Sequence, residues 1–355
     1  MNIKIFHLFI GLFFLLVVIL ITQASQIRKE LITEDLAPQI LETKLDTIWE
    51  IEISDRGDIY YTERAGRLNV IIQEDGYQTY RVPGVFETAE GGLLGLALHP
   101  KFKENGWIYL YITTMTDTEN LINKVVRYEV DNGSLKERRV IVDEIPGADR
   151  HNGGRIKFGP DGLLYITTGD ALNPEGSQDK NILSGKILRV RDDGTIPSDN
   201  PFANEVYSYG LRNSEGIAWD GEGRLWATDH GEQANDEVNL IKKGKNYGWP
   251  VITGDNSKAG LVNPSLISGT SNTWAPAGLA YHENMLYFGA LRGKAIIIAK
   301  IEGSRLTDVH EEYKNVFGRI RAVFFNHSQL YIGTSNRDGR GDPSNLDDRI
   351  MIIKP

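Results

Sequence analysis

The chain has 355 residues, of which 41% are hydrophobic and 25% are charged, and its formal net charge at pH 7 is -9. This composition is that of an ordinary globular protein with enough apolar residues to build a large core. The acidic balance argues against nucleic acid as the main partner. There are no cysteines, which excludes disulfides, thiolate catalysis and cysteine-bound metals.

The N-terminal stretch at residues 5–21 is almost wholly apolar and follows a single lysine, Lys4. As a helix it would span roughly 26 Å, slightly less than a bilayer core of about 30 Å. Residues 1–24 are either a cleaved signal peptide or an uncleaved signal anchor, and the long apolar run with a poor cleavage site favours the anchor. Residues 25–36 read as a polar tether. Either interpretation predicts an extracytoplasmic protein that touches the membrane only through this segment.

Six copies of one pattern follow: a short apolar strand, a polar turn, and a second strand that carries an aromatic residue. The matched aromatic residues are Tyr60, Tyr109, Tyr165, Trp226, Tyr287 and Tyr331. Their spacing of 44 to 61 residues suits four short strands plus loops, which is the size of one propeller blade. The sequence therefore predicts an all-β, six-bladed β-propeller over residues 37–355.

The last repeat ends just after its third strand, so its sheet lacks an outer strand. We predict that residues near 40–45 supply this strand and close the ring. Closure would protect the edges of the first and last sheets from pairing with other chains.

A candidate acid–base pair lies in the third repeat, where His151 precedes the first strand and Asp170 follows the second. In an antiparallel hairpin these two positions meet at one end of the sheet. A histidine beside a carboxylate can act as a general base near neutral pH. Alone, His151 would more often be a surface or structural histidine, but this setting favours catalysis.

Arginines recur in the loops predicted to share that face of the propeller. They are Arg155, Arg212, Arg292, Arg319, Arg321 and Arg337. Clustered guanidinium groups suit a polyanionic ligand, because each can pair with a carboxylate through two hydrogen bonds. Arg319 and Arg321 alternate along one strand, which would place both side chains on one face.

The loop at residues 229–239 combines carboxylates, asparagines and a glycine, and such oxygen ligands suit Ca²⁺. Its spacing is not that of an EF-hand, and a solvated acidic loop is the alternative. His99, His282 and His327 fall in predicted hairpin turns and are interpreted as structural or surface residues.

Several motifs in this order resemble the soluble quinoprotein sugar dehydrogenases, the glucose, sorbosone and aldose sugar dehydrogenases that use pyrroloquinoline quinone (PQQ). The matching stretches are residues 90–102, 151–155, 159–162, 168–170, 209–213, 236–239 and 244–250. They are spread over roughly residues 38–355, and together they are specific. The resemblance implies a six-bladed propeller with PQQ and Ca²⁺ on its top face, and the absence of long loops indicates the shorter aldose type, a monomer.

The resemblance also implies the reaction and its residues. His151 would take the proton of the C1 hydroxyl of an aldose, the C1 hydride would pass to the quinone, and the product would be a lactone. Asp170 matches a carboxylate that supports this histidine, and Arg212 would polarise the quinone and substrate oxygens. An external electron acceptor would then reoxidise the cofactor.

Cofactor and metal ligands follow from the same resemblance. PQQ would be held by Arg212, Asn213, Arg292, Arg319 and Arg321, with Glu90 at a further contact position. The carbonyls of Gly231 and Glu232 would bind the Ca²⁺ that activates PQQ, and Glu237 and Tyr247 match a second, structural Ca²⁺ site. Glu90 stands where the family commonly has glutamine, so this carboxylate would have to be protonated or paired beside an anionic cofactor.

Two functions of other classes remain open. A propeller that has lost its cofactor could serve as a binding module, and Glu90 would be its marker. A Ca²⁺-dependent lactonase on a similar ring would hold a central metal directly through several carboxylates and would act without a quinone.

Overall fold

The structure, a computed structural model, describes residues 38–73, 76–131 and 133–354. The predicted signal peptide or anchor at residues 1–24 and the tether at 25–36 lie outside these ranges. No helix within the described ranges is long and apolar enough to cross a membrane.

The described residues form six antiparallel sheets of four strands each, which are the blades of the predicted propeller. The chain begins with β1 (Gln39–Glu42). Blade 1 contains β2 (Ile48–Ile53), β3 (Ile59–Glu63), β4 (Arg67–Ile72) and β5 (Gly76–Arg81). Blade 2 contains β6 (Leu93–Leu98), β7 (Trp107–Met115), β8 (Leu121–Asp131) and β9 (Ser134–Pro146). Blade 3 contains β10 (Ile156–Phe158), β11 (Leu164–Thr167), β12 (Lys186–Val190) and β13 (Val206–Tyr209).

The second half of the ring repeats this plan. Blade 4 contains β14 (Gly216–Trp219), β15 (Leu225–Asp229), β16 (Glu237–Ile241) and β17 (Leu266–Ile267). Blade 5 contains β18 (Pro276–His282), β19 (Met285–Ala290), β20 (Ala295–Glu302) and β21 (Arg305–Glu312). Blade 6 contains β22 (Ile320–Asn326), β23 (Gln329–Thr334) and β24 (Ile350–Ile353). Between the strands lie a short helix, α1 (Phe102–Asn105), and a 3₁₀ turn at Pro174–Gln178.

The ring closes as predicted, because β1 pairs with β24 and forms the outer strand of blade 6. The register joins Gln39 to Ile352 and Ile40 to Met351. The strand ends at Glu42, but Leu45 continues the closure, since it exchanges two backbone hydrogen bonds with Asp348 at 2.8 and 2.9 Å. Both ends of the described chain are therefore held in one sheet.

The aromatic residue of each repeat lies on the second strand of its blade and is buried. The exposed fraction is at most 8% for all six of these residues. Tyr60 belongs to an apolar cluster that includes Leu96 and Leu110 of the next blade, and Tyr109 to one that includes Ile156 and Leu188. Burial of such a side chain contributes several kcal/mol, and here it joins neighbouring blades. The repeated aromatic position is thus part of the apolar packing between neighbouring blades.

The first strand of every blade lies innermost, where these strands contact one another around a central channel. A glycine recurs on these strands in the sequence pattern, and Gly95 shows why. A Cβ atom at Gly95 would lie 2.2 Å from the backbone oxygen of Gly154 on the neighbouring blade. The close approach of inner strands therefore requires glycine at this position.

At the end of the channel where the inner strands finish, Glu52 lies in an aromatic-lined cavity of about 400 Å³ with Lys157. Burial raises the pKa of Glu52 to about 8, although Lys157 opposes this shift. A carboxyl pKa that is raised on folding means that the folded protein binds more protons than the unfolded chain between pH 4.5 and 8. Stability contributed by neutral Glu52 is therefore present at low pH and is lost as the pH rises through this window.

We predict that Glu52→Gln flattens the dependence of stability on pH. At pH 9 the variant should be more stable than the parent by about 1–3 kcal/mol, and at pH 5 the two should be similar. Urea unfolding at both pH values measures this difference, with the exposed Asp342→Asn as the control. Parallel pH profiles for Glu52→Gln and the parent protein would contradict the prediction.

Candidate active site

A cavity of about 480 Å³ opens on the face where the inner strands begin. It brings together most of the predicted site residues, namely Glu90, His151, Arg212, Asn213, Gly231, Glu232, Arg292, Arg319 and Arg321. Loops that enter the inner strands and loops that leave the second strands both contribute to its wall, as the repeat predicts. Glu237 and Tyr247 line a neighbouring cavity of about 250 Å³, which shares Arg212, Gly231 and Glu232 with the first.

His151 and Asp170 meet at the wall of this cavity. Nδ1 of His151 lies 2.8 Å from Oδ1 of Asp170, whose side chain is 1% exposed. The other oxygen of Asp170 accepts a hydrogen bond from the indole N–H of Trp249 at 2.9 Å. A carboxylate accepts hydrogen bonds, so with Asp170 ionised this contact favours the His151 tautomer that has its proton on Nδ1 and its lone pair on Nε2. This is the arrangement of an oriented general base.

The loop before β10 holds His151 in an uncommon backbone conformation, with φ of 61°. Its neighbour Asn152 is 3% exposed and fastens the loop, since its side chain accepts hydrogen bonds from the Ala148 N–H and the Asn123 amide and donates one to the Ala148 carbonyl. Gly153 follows, and a Cβ there would lie 2.6 Å from the backbone of Thr168. The His-Asn-Gly-Gly motif therefore fixes the position of the imidazole.

Glu90 is paired rather than isolated. Its Oε1 lies 2.6 Å from Nη1 of Arg340, and its Oε2 accepts the backbone N–H of His151 at 2.9 Å. Burial alone would raise the pKa of Glu90, but the His151 N–H and the Arg340 guanidinium together hold it below its ordinary value. The carboxylate therefore stays charged, with a cation beside it.

Arg319 and Arg321 share one carboxylate, as their alternation predicts. Nη2 of Arg319 lies 2.6 Å and Nη2 of Arg321 lies 3.7 Å from the same oxygen of Asp338. Arg321 also forms an ion pair with Glu215. These contacts hold two nearly buried guanidinium groups at the cavity wall, where each keeps donors for a further anion.

Arg212 and Asn213 are positioned by Asp229, whose carboxylate accepts both of their backbone N–H groups at 2.9 and 2.7 Å. Nε of Arg212 is buried and has no hydrogen-bond partner among the described residues. The guanidinium lies 5.4 Å from the centre of the Trp249 ring. A buried unpaired donor in a cavity wall is free for a ligand. Asn213 lines the cavity, but its side chain already accepts from the Gly153 N–H and donates to Glu215.

Two of the six arginines predicted for this face do not line the cavity. Arg155 is 1% exposed and lies inside the central channel, where it forms an ion pair with Glu50. Arg337 donates instead to the backbone oxygen of Asp347 at 2.7 Å. The other predicted histidines behave as structural or surface residues: His282 stacks on Phe325 at 4.4 Å between ring centres, and His327 is exposed.

The predicted metal-binding residues lie close together but differ in the ligand groups that they present to a metal ion. The carbonyls of Gly231 and Glu232 accept no hydrogen bond within the described residues, which leaves both oxygens for a cation. Burial and the nearby Asp229 raise the pKa of Glu237 to about 8. The Tyr247 hydroxyl donates to the Leu240 carbonyl at 2.8 Å, so its backbone carbonyl is the group that could ligate. No group of three or more histidine or carboxylate side chains that could hold a metal occurs in the part of the chain described.

Glu215, Trp249 and Arg340 are functional residues of this site that were not predicted from the sequence. Glu215 faces Arg321, and Trp249 supports Asp170. Trp249 lies within the family-like stretch at residues 244–250, so its membership of this motif could have identified it from the sequence. For Glu215 and Arg340 the partners are 106 and 250 residues away along the chain, and no local pattern reveals them.

The chain is similar to known sugar dehydrogenases. The family model for glucose/sorbosone dehydrogenase matches residues 45–347. The chain is 38% identical over 240 residues to the uncharacterized protein slr1608 of Synechocystis, covering 59% of this chain and 58% of that protein, which is less than two thirds of it. It is 30% identical over 337 residues to aldose sugar dehydrogenase YliI of Escherichia coli, covering 85% of this chain and 90% of that protein.

A solved structure supports the same assignment. The PQQ-bound form of aldose sugar dehydrogenase from Streptomyces coelicolor superimposes with a TM-score of 0.84 and 36% identity, covering 90% of this chain and 98% of that chain. The matching fold and the family match over most of the described chain agree with each other. The chain belongs to the glucose/sorbosone dehydrogenase family.

Proposed function

We propose that this protein is a PQQ-dependent aldose dehydrogenase that oxidises its sugar at C1 to the lactone. The observation that carries the proposal is the His151–Asp170 pair, at 2.8 Å, in the wall of an arginine-lined cavity. The names of the related proteins, an aldose sugar dehydrogenase and a PQQ-bound structure, support the same activity.

The residues at the cavity fit a planar polyanion such as PQQ. Arg212 has a buried donor without a partner, and Arg319 and Arg321 are held at the wall by Asp338. Arg292 is exposed at the same cavity. Together with the second amide N–H of Asn213, which Glu215 does not use, these side chains would hold the three carboxylates and ring oxygens of the cofactor. When bound, PQQ would supply a two-electron acceptor for the hydride of C1.

The chain's own part in the chemistry is to move one proton. Nε2 of His151 would accept the proton of the C1 hydroxyl, and the buried Asp170 would stabilise the resulting imidazolium through Nδ1. The Trp249 N–H fixes the orientation of Asp170. The guanidinium of Arg212 would donate a hydrogen bond to an oxygen on which negative charge increases.

We propose that the protein binds Ca²⁺ at two sites. The free carbonyls of Gly231 and Glu232 would contribute to an ion site at the cofactor cavity, and oxygen ligands of this kind suit Ca²⁺. Glu237 with the Tyr247 carbonyl would form the second, structural site. Glu237 interacts with the like-charged carboxylates of Asp229 and Asp236, and a cation bound there would compensate these charges.

Calcium should therefore stabilise the chelator-treated protein. At a free concentration 100 times the dissociation constant, we expect a rise in melting temperature of about 5 °C. Differential scanning calorimetry with Ca²⁺, and with Mg²⁺ as a control, measures it. The Glu237→Gln variant should lose much of the shift. An unchanged melting temperature on addition of Ca²⁺ would count against both sites.

The cellular setting is also proposed. The apolar run at residues 5–21 supports an extracytoplasmic location through a signal peptide or anchor. The enzyme would act as a monomer and pass its electrons to an external acceptor.

The test of the proposed function is a reconstitution assay. Purified residues 36–355 are mixed with PQQ and Ca²⁺, and dye reduction is followed with a panel of aldoses. Reduction that requires PQQ, Ca²⁺ and sugar together is the expected result. Lactone hydrolysis without a quinone would replace the proposal with the lactonase, and the absence of both PQQ binding and activity would replace it with the binding module.

A further inference from the structure

Arg340 lies at the cofactor cavity in the loop between β23 and β24, opposite the loop between β5 and β6 that carries Glu90. The two side chains meet across the cavity wall at 2.6 Å. The carboxylate of Glu90 has one oxygen on Arg340 and the other on the His151 N–H. The pair thus joins blade 6 to the loop that positions the candidate base.

Two of the three other carboxylates of the cavity wall, Glu215 and Asp236, are matched by the protein, and the third, Glu232, is exposed to solvent. Glu215 pairs with Arg321. Asp236 accepts hydrogen bonds from the Thr273 hydroxyl and from the N–H groups of Gly231, Trp274 and Ala275. Glu90 would repel an anionic ligand if it stood alone, and Arg340 is the cation in contact with it. Arg340 is half exposed, so its remaining N–H donors can also reach a ligand in the cavity.

We propose that Arg340 is a specificity-determining residue that neutralises Glu90, so that the two together set the affinity of the cavity for a polycarboxylate. This inference rests on the proposed function. In this proposal the carboxylate of Glu90 repels an anionic ligand, and the guanidinium of Arg340 cancels that repulsion. The competing explanation is a purely structural link between two loops, which would have no preference for the charge of the ligand.

A double-mutant cycle separates the two explanations. Binding of PQQ and of the redox-inert benzene-1,3,5-tricarboxylate is titrated by calorimetry for the parent, Arg340→Gln, Glu90→Gln and the double variant. We expect Arg340→Gln to weaken binding about tenfold and Glu90→Gln to strengthen it about tenfold, with the double variant within about threefold of the parent. Glutamine at position 90 keeps an oxygen to accept the His151 N–H.

Glu87→Gln is the matched control, because it removes the same charge from the same loop but Glu87 pairs with Arg64 at 3.3 Å. It should leave both affinities unchanged. Weaker binding in both single variants would show a structural link and overturn the inference, as would no change in Arg340→Gln.

The two probes separate failure of this inference from failure of the proposed function. Suppose the tricarboxylate affinities follow the expected pattern but the protein shows no PQQ-dependent sugar oxidation. This result would refute the proposed dehydrogenase activity and support the charge role of Arg340. Sugar oxidation with the wrong pattern of affinities would refute only the inference. A parent protein that binds neither probe would refute both.

Discussion

His151→Gln is expected to lower kcat of the PQQ- and Ca²⁺-loaded protein by about 10³-fold. The reason is geometric: Nδ1 is committed to Asp170 at 2.8 Å, so Nε2 is the basic atom that the ring presents to the cavity. Glutamine has a similar reach but cannot accept a proton at neutral pH. Steady-state dye reduction with an aldose measures the loss.

Cofactor binding should survive this change. The arginines that would hold PQQ are positioned by Asp229, Asp338 and Glu215 and do not depend on the imidazole. We expect the dissociation constant for PQQ to stay within about threefold of the parent value. His327→Gln, in an exposed turn, is the control and should retain full turnover. Turnover of His151→Gln near the parent rate would remove this residue from the mechanism.

The fold could be predicted from the sequence because the signal repeats. A buried aromatic residue on the second strand of each blade, such as Tyr109 or Trp226, recurs at the spacing of a propeller blade. The His151–Asp170 pair could also be predicted, since both residues belong to one hairpin whose geometry is local. Ring closure could be predicted because the last repeat contains only three strands, so its outer strand had to come from the start of the propeller domain.

The charge pairing of the site could not be predicted in the same way. Arg319 and Arg321 were found because they are two residues apart at the start of one predicted strand, but Glu215 and Arg340 lie in different blades from their partners. Such pairs form only when the ring closes, so neither local spacing nor residue type reveals them. Glu90 illustrates the consequence: the sequence showed a carboxylate out of place, and the structure shows the cation that neutralises it.

For Arg155 the prediction was wrong. As an arginine beside the predicted rim it was expected to bind a ligand, but the structure places it in the core of the channel. It directly precedes β10, the inner strand of blade 3, and the ring of inner strands encloses it. There it pairs with Glu50, its Nε donates to the Glu215 carbonyl at 2.7 Å, and its guanidinium lies 4.2 Å from the centre of the Trp49 ring. Arg155 is 1% exposed and does not line the cavity, so it is part of the channel core and makes no contact with a ligand there.

We therefore predict that Arg155→Met lowers the free energy of unfolding by about 3–5 kcal/mol. Methionine fills most of the volume, but it leaves the carboxylate of Glu50, which is also 1% exposed, charged and unpaired inside the channel. Removing one partner of a buried pair costs this much because the remaining ion stays desolvated. Urea unfolding at pH 7 measures the loss.

Neutralising the partner should reverse much of this loss. Arg155→Met with Glu50→Gln removes both charges, so we expect the double variant to recover about half of the lost stability or more. Lys314→Met, which breaks an exposed pair with Glu311, should cost less than about 1 kcal/mol. If Arg155→Met were as mild as Lys314→Met, Arg155 would not be the buried cation that balances the channel. A double variant no more stable than Arg155→Met would show that Arg155 acts through its packing on Trp49 and its bond to the Glu215 carbonyl, and that charge balance contributes little.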